Sequence, residues 1–270
     1  MHRPSALTRV EHHAGVTLGD AHADIWLPPS GVRRRAKVLL EGGLLERPPM
    51  LAPAARLMAA SGLVIVAHEA ERRSVQALRN PMGARVLGAH SVMHTFDGEQ
   101  AAGRDKRLDW ILQGHSLGAI VISLLALLEQ QEGNHSIERV DLISPAGRTN
   151  GQRPMEQIWT PRNVYHVLRE EVRVMSDATN SGGVLKEAVK TIFQDPILAA
   201  REAAVASTAD IRPMLLEMDD VGIDYRIAYG RWDGLIPCPA VLDENSQIID
   251  TGHLGHELWP REVTGFSLAA

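Results

Sequence analysis

Gly114-His115-Ser116-Leu117-Gly118 stands between an apolar run, Asp109 to Gln113, and a long apolar stretch, Leu117 to Gln131. A tight turn alone has no use for a serine there, and a buried helix alone has no use for the glycines. A strand that reverses into a helix within one residue forces unusual backbone angles at its apex, and small neighbours let both flanks close on it. The apex side chain then stands clear of the sheet, and the first N–H groups of the helix point at whatever reacts there. G-x-S-x-G between a strand and a helix therefore predicts a nucleophile elbow with Ser116 at its tip. A serine that only caps the helix is the plain alternative. A serine hydroxyl is a poor nucleophile and needs a base that takes its proton during attack. Histidine titrates near neutrality and can hand the proton on to a leaving group. A carboxylate behind the imidazole fixes its tautomer and stabilises the imidazolium.

Twelve histidines also raise the question of a metal. His90 and His94 lie one helical turn apart and His12-His13 are adjacent, but without a nearby Glu or Cys set this spacing reads as surface or core histidine. No metal is expected. No G-x-G-x-x-G follows a strand, so no dinucleotide is implied, and no cofactor is expected. A net charge of -5 with scattered Lys and Arg argues against a nucleic-acid partner. The one basic cluster, Arg33-Arg34-Arg35, reads as a solvated entry to a strand.

These residues have to be held by something. "HADIWLPP" (His22 to Pro29), "AKVLLEGG" (Ala36 to Gly43), "LVIVAHE" (Leu63 to Glu69) and "VDLISPAG" (Val140 to Gly147) read as strands. "MLAPAARLMAASG" (Met50 to Gly62) reads as a helix with a glycine stop, and a helical stretch lies near Gly83 to His94. From about Gly151 to Ser207 only helical segments are legible. "STADIRPMLLEMDDVG" reads as a further helix capped by Ser207 or Thr208. The strands "IDYRIAYG" (Ile223 to Gly230) and "SQIID" resume the alternation. Continuously apolar strands alternating with helices predict an α/β protein, a mostly parallel central sheet with helices on both faces. The core is expected over 1–150 and 207–270, and the helical block 151–206 as an inserted cap. Cys238 is the single cysteine, so no intrachain disulfide can form, which fits a reducing compartment. The N-terminal residues show no apolar signal-peptide core, and the stretch Leu117 to Leu128 is too short to span a bilayer. A soluble, cytoplasmic protein with no membrane span is expected.

With the glycine-serine turn between a strand and an apolar helix, the chain resembles the α/β-hydrolase superfamily over most of its length, the helical insertion apart. The resemblance implies catalytic partners in the order serine, acid, histidine. "YGRWDGLIP" (Tyr229 to Pro237) resembles the acid turn and implies Asp233. "TGHLGHELWP" (Thr251 to Pro260) resembles the terminal histidine loop and implies His253. Asp141, Asp243 and Asp250 are rival acids, and His256 is a rival base. The resemblance treats His115 as a packing residue. Leu117, the residue after the nucleophile, should give one oxyanion N–H. The second should come from "LLEGGLLERPP", at Gly43 or Leu44. Members of the superfamily often carry His-Gly in this loop, where this chain has Glu41-Gly42. A carboxylate beside an oxyanion opposes negative charge unless it is paired, and Arg47 is a candidate partner.

The resemblance implies a serine hydrolase that forms an acyl-enzyme on Ser116. Its expected substrate is a small-molecule carboxylic ester of a small to medium, mostly apolar acyl group. Leu44 and Trp159 are candidates for the walls of the acyl pocket. A thioesterase, a C–C bond hydrolase or an acyltransferase would use the same three groups. A catalytically silent member that binds a ligand or a protein is the alternative of a different kind.

Overall fold

A computed structural model describes residues 9–43, 46–70, 74–99, 108–133, 136–147, 149, 196–231, 233, 236, 238–239, 242–249, 265–266 and 268. In chain order these residues form β1 (Glu11–Leu18), β2 (Ala21–Leu27), β3 (Lys37–Glu41), α1 (Pro48–Ala60), β4 (Val64–Glu69), α2 (Val75–Arg79) and α3 (Pro81–Glu99). Then follow β5 (Trp110–His115), α4 (Leu117–Glu132), β6 (Ile137–Ile143), α5 (Pro196–Thr208), α6 (Arg212–Val221), β7 (Tyr225–Gly230) and β8 (Ser246–Ile249).

All eight described strands make one sheet in the order β1-β2-β4-β3-β5-β6-β7-β8. β2 runs antiparallel to both β1 and β4, and every other neighbouring pair is parallel. The continuous apolar strands are explained by burial on both faces. Successive side chains alternate between faces. In β3, Leu39 enters one core cluster while Val38 and Leu40 enter the other; in β4, Val64 and Val66 oppose Ile65 and Ala67. The first cluster is roofed by α3, α4 and α6, the second by α1. α4 is buried nearly all round, as its composition predicts, and packs on β5, β6, α3 and α6.

Three differences from the sequence reading have local causes. β1 has mostly exposed side chains and lies at the sheet edge, so it carries no apolar alternation to betray it. α1 begins at Pro48 rather than Met50, because proline suits a first helical turn, where its missing N–H has no intrahelical partner to lose. The helix expected to be capped by Ser207 or Thr208 instead starts at Arg212, with Pro213 in its first turn and Asp210 Oδ1 accepting from the Arg212 N–H at 3.1 Å. Ser207 and Thr208 end α5, where both hydroxyls donate to the Ala204 carbonyl. Of the expected cap, 151–195 lies outside the described residues. α5 falls within the expected cap except for its last two residues, and packs against α2 and α3.

Candidate active site

Ser116 follows the last residue of β5 and precedes the first of α4, and its backbone sits at φ 53°, ψ -118°. A residue with a side chain reaches that region only at a cost of about 1–3 kcal/mol, so surrounding contacts must hold it there. They are visible on both sides of the residue. The Ser116 N–H donates to Ile143 at the end of β6 at 2.9 Å, and its carbonyl accepts from the Ala146 N–H at 2.9 Å. The two flanking glycines are sterically required. A Cβ on Gly114 would lie 2.5 Å from the Gly118 carbonyl oxygen, and one on Gly118 would lie 2.6 Å from the Gly42 carbonyl oxygen. The first turn of α4 therefore rests on the backbone of the loop after β3, with only hydrogens between. Leu117 opens α4, so its N–H has no carbonyl of its own helix to bind and faces the Ser116 end.

The loop after β3 reaches the same place. A Cβ on Gly43 would stand 2.9 Å from the Ser116 Cβ, so the Gly43 backbone abuts the serine. Its N–H, however, donates to Glu46 Oε2 in a short hydrogen bond, and the same oxygen lies 2.9 Å from His115 Nδ1. His115 is thus more than the packing residue the resemblance implies: it ties the elbow to this loop. Glu46 had no signal in the sequence beyond standing near the glycines.

Asp233 lies three residues beyond β7, at the same end of the sheet as Ser116. It is buried, and its Oδ1 accepts from the Ile236 N–H at 2.8 Å. β6 separates β5 from β7, so the two residues follow strands about 10 Å apart. Two rival acids are placed elsewhere. Asp141 is held within the sheet by Arg226 of β7, at 2.9 Å, and by Arg139. Asp243 precedes β8, at the end where the parallel strands begin, and accepts from the Ser246 hydroxyl at 2.5 Å. Leu44, Trp159, Asp250, His253 and His256 lie outside the described residues.

No protein-family model matches the chain, and no curated protein matches it in sequence. Solved structures do match. A 2-hydroxy-6-oxo-6-phenylhexa-2,4-dienoate hydrolase from Rhodococcus sp. superposes with a TM-score of 0.61 at 16% identity, over 96% of this chain and 98% of the other. A hydrolase from Oleispira antarctica gives 0.61 at 13% identity, over 96% and 98%. A bromoperoxidase from Bacillus anthracis gives 0.56 at 13% identity, over 95% and 96%. The chain has the α/β-hydrolase fold.

Within that α/β-hydrolase fold the end of β3 carries a buried charge, and its partner differs from the one expected. Glu41 is fully buried and paired, though not with Arg47. Arg85 of α3 reaches Glu41 Oε1 at 2.7 Å, and His68 Nδ1 of β4 lies 2.9 Å from Oε2. The Arg85 guanidinium also donates to the Gly42 carbonyl at 2.5 Å and reaches Glu202 of α5 at 3.4 Å. Burial alone would raise the Glu41 pKa; Arg85 and His68 together outweigh it and hold the carboxyl below its ordinary value. Arg47 instead helps line a cavity of about 710 Å³ with Asp20, His22, His68 and Glu69, on the β2–β4 side of the loop. Ser116 does not line it, so this cavity is separate from the elbow.

Removing the Glu41 charge should take from buried Arg85 its nearest carboxylate, leaving Glu202 at 3.4 Å and the Gly42 carbonyl. We predict that Glu41→Gln lowers stability near pH 7 by about 3 kcal/mol in urea unfolding. Because the folded pKa lies below the unfolded one, this contribution is present above the unfolded pKa and is lost as pH falls through the folded value. The gap between wild type and variant should therefore close in acid. A gap that is absent at neutral pH, or that widens in acid, contradicts the pairing.

Proposed function

We propose that the protein is a serine hydrolase that cleaves a carboxylic ester of a small to medium, mostly apolar acyl group. The observation that carries this reading is Ser116, held at φ 53° between β5 and α4 with the first N–H groups of α4 beside it. In this reading Ser116 Oγ attacks the ester carbonyl carbon while His253 takes its proton. Asp233 orients the imidazole and stabilises its charge. The oxyanion of the tetrahedral intermediate binds the Leu117 and Gly43 N–H groups. The intermediate collapses, the alcohol leaves with the proton from His253, and water releases the acid by the same steps in reverse order. The proposed cap, 151–206, closes over Ser116, with Leu44 and Trp159 on the acyl pocket. No helix among the described residues is long and apolar enough to cross a membrane; we place the enzyme in the cytoplasm, in keeping with its single cysteine. A thioester, a C–C bond flanked by carbonyls, or an acyl acceptor other than water would engage the same groups.

Glu46 favours a second reading, a silent α/β-hydrolase fold that only binds a ligand. The Gly43 N–H is donated to the Glu46 carboxylate, so an oxyanion must displace a negative charge to use it. Glutamine would keep an acceptor for His115 and Gly43 and remove that charge. In the hydrolytic reading Glu46→Gln therefore raises kcat for a chromogenic ester several-fold. No turnover in wild type and no gain in Glu46→Gln would support the silent reading.

The hydrolytic reading is tested with chromogenic esters graded by acyl length. Ser116→Ala and His253→Ala should each lower kcat/KM by at least about 10³-fold with the fold intact by circular dichroism, and Asp233→Asn should lose much of the rate. Full activity in folded Ser116→Ala would contradict the mechanism. A loss in Asp250→Asn but not in Asp233→Asn would move the acid.

A further inference from the structure

His90 and His94 are brought to a partner that their sequence neighbourhood does not contain. They stand one turn apart on α3, so both rings leave the same face of the helix. That face meets the C-terminal half of α4, from which Glu129 and Glu132 project, three residues apart and again on one face. Glu129 is completely buried, an unusual position for a carboxylate. The ligand atoms of His90, His94 and Glu129 all lie within 4.8 Å of one another. His90 Nε2 is 3.4 Å from Glu129 Oε1 and 3.1 Å from Glu132 Oε2; His94 Nε2 is 3.9 Å from the same Glu129 oxygen.

These separations can be compared with a metal's requirement. Ligand atoms about 2.1 Å from a tetrahedral zinc stand about 3.4 Å from each other. The three measured separations bracket that value. The imidazole rings are 4.2 Å apart at their centroids, and both turn Nε2 toward Glu129 Oε1. The His90 Nε2 hydrogen bond goes to Glu132 Oε2, and His94 Nε2, at 3.9 Å, stands too far from Glu129 Oε1 for one. A dication would instead take a lone pair from each ring and the charge of the carboxylate.

The supports are rigid. Ala89, Val92 and Met93 of α3 and Leu125 and Ala126 of α4 belong to one core cluster, which fixes the two helices against each other before any ion arrives. The donor set also selects the ion. Two imidazoles with carboxylates suit zinc and its first-row neighbours, whereas calcium and magnesium prefer oxygen alone. Glu129 lies 12 residues beyond the first residue of α4, so the cluster is about 18 Å along the helix from the Ser116 end. It stands outside the elbow's chemistry.

We propose that His90, His94 and Glu129, with Glu132 at the rim, form a binding site for a divalent transition-metal ion of the zinc class that clamps α3 to α4. Zinc is the probe, added to full-length protein without a polyhistidine tag, in competition with a chromophoric chelator. The wild type should bind one equivalent, and its melting temperature should rise with zinc while calcium and magnesium leave it unmoved. His94→Ala, at a partly exposed position, and the His90→Ala/His94→Ala double variant should weaken zinc binding by at least tenfold and lose the thermal shift. Glu129→Gln should do the same, but the histidine variants decide the matter if that buried change harms folding. No saturable zinc binding by the wild type, or a double variant that binds zinc as tightly, would overturn the site. The cluster would then be an ion-pair contact between the two helices and nothing more.

Discussion

The backbone contact between Gly118 and the carbonyls of Glu41 and Gly42 constrains everything around the elbow. Helix α4 can start where it does only because nothing larger than hydrogen separates it from the end of β3. That contact sets the height of the α4 N-terminus above the sheet. It also sets the angle at which β5 turns into the helix, and so the strained backbone of Ser116. The strain costs about 1–3 kcal/mol, which is small beside the burial of α4 against β5, β6, α3 and α6. The long apolar helix and the unfavourable serine angles belong to one arrangement: the helix is held by its core contacts and carries the elbow with it.

The same end of the sheet is braced by charge, and the bracing depends on how deeply the cation is buried. Glu41 and Asp141 are both fully buried carboxylates, each facing arginine. Burial raises the pKa of each. It prevails at Asp141, whose pKa stays raised despite Arg226 and Arg139, while at Glu41 Arg85 and His68 reverse it. Arg226 keeps 27% of its side chain in solvent and Arg85 only 3%. Water screens the first; the second acts across a low-dielectric interior, where the same charge is felt far more strongly. Arg85 thereby ties together β3, the Gly42 carbonyl and α5, whose Glu202 it contacts. The loop that meets Ser116 is held from behind by an ion cluster and in front by Glu46 and His115.

Local requirements were legible in the sequence and remote ones were not. The Gly114–Gly118 turn could be read because strain, small neighbours and the helix start all fall within five residues. The parallel sheet could be read because burial on both faces leaves runs such as Val38–Leu40, Val64–Ala67 and Trp110–Leu112 apolar on successive residues. The edge strand β1, half in solvent, left no such trace. Pairing of Glu41 followed from the cost of a buried charge, but sequence proximity suggested Arg47 when the partner was Arg85, 44 residues away. His90 and His94 showed no acidic neighbour for the same reason, since Glu129 comes from another helix. Each of these partners is chosen by the packing of α1, α3 and α4 on the sheet, and helical periodicity carries no information about which helix lies beside which.

A competent nucleophile at the elbow should react with a serine-directed phosphonylating reagent. The most direct measurement is mass spectrometry of the folded protein after treatment with a fluorophosphonate, followed by peptide mapping. A single covalent adduct is expected, on the Ser116 hydroxyl, formed by the folded protein and abolished by prior denaturation. A folded protein that stays unmodified, or that is modified elsewhere while Ser116 remains free, would contradict it.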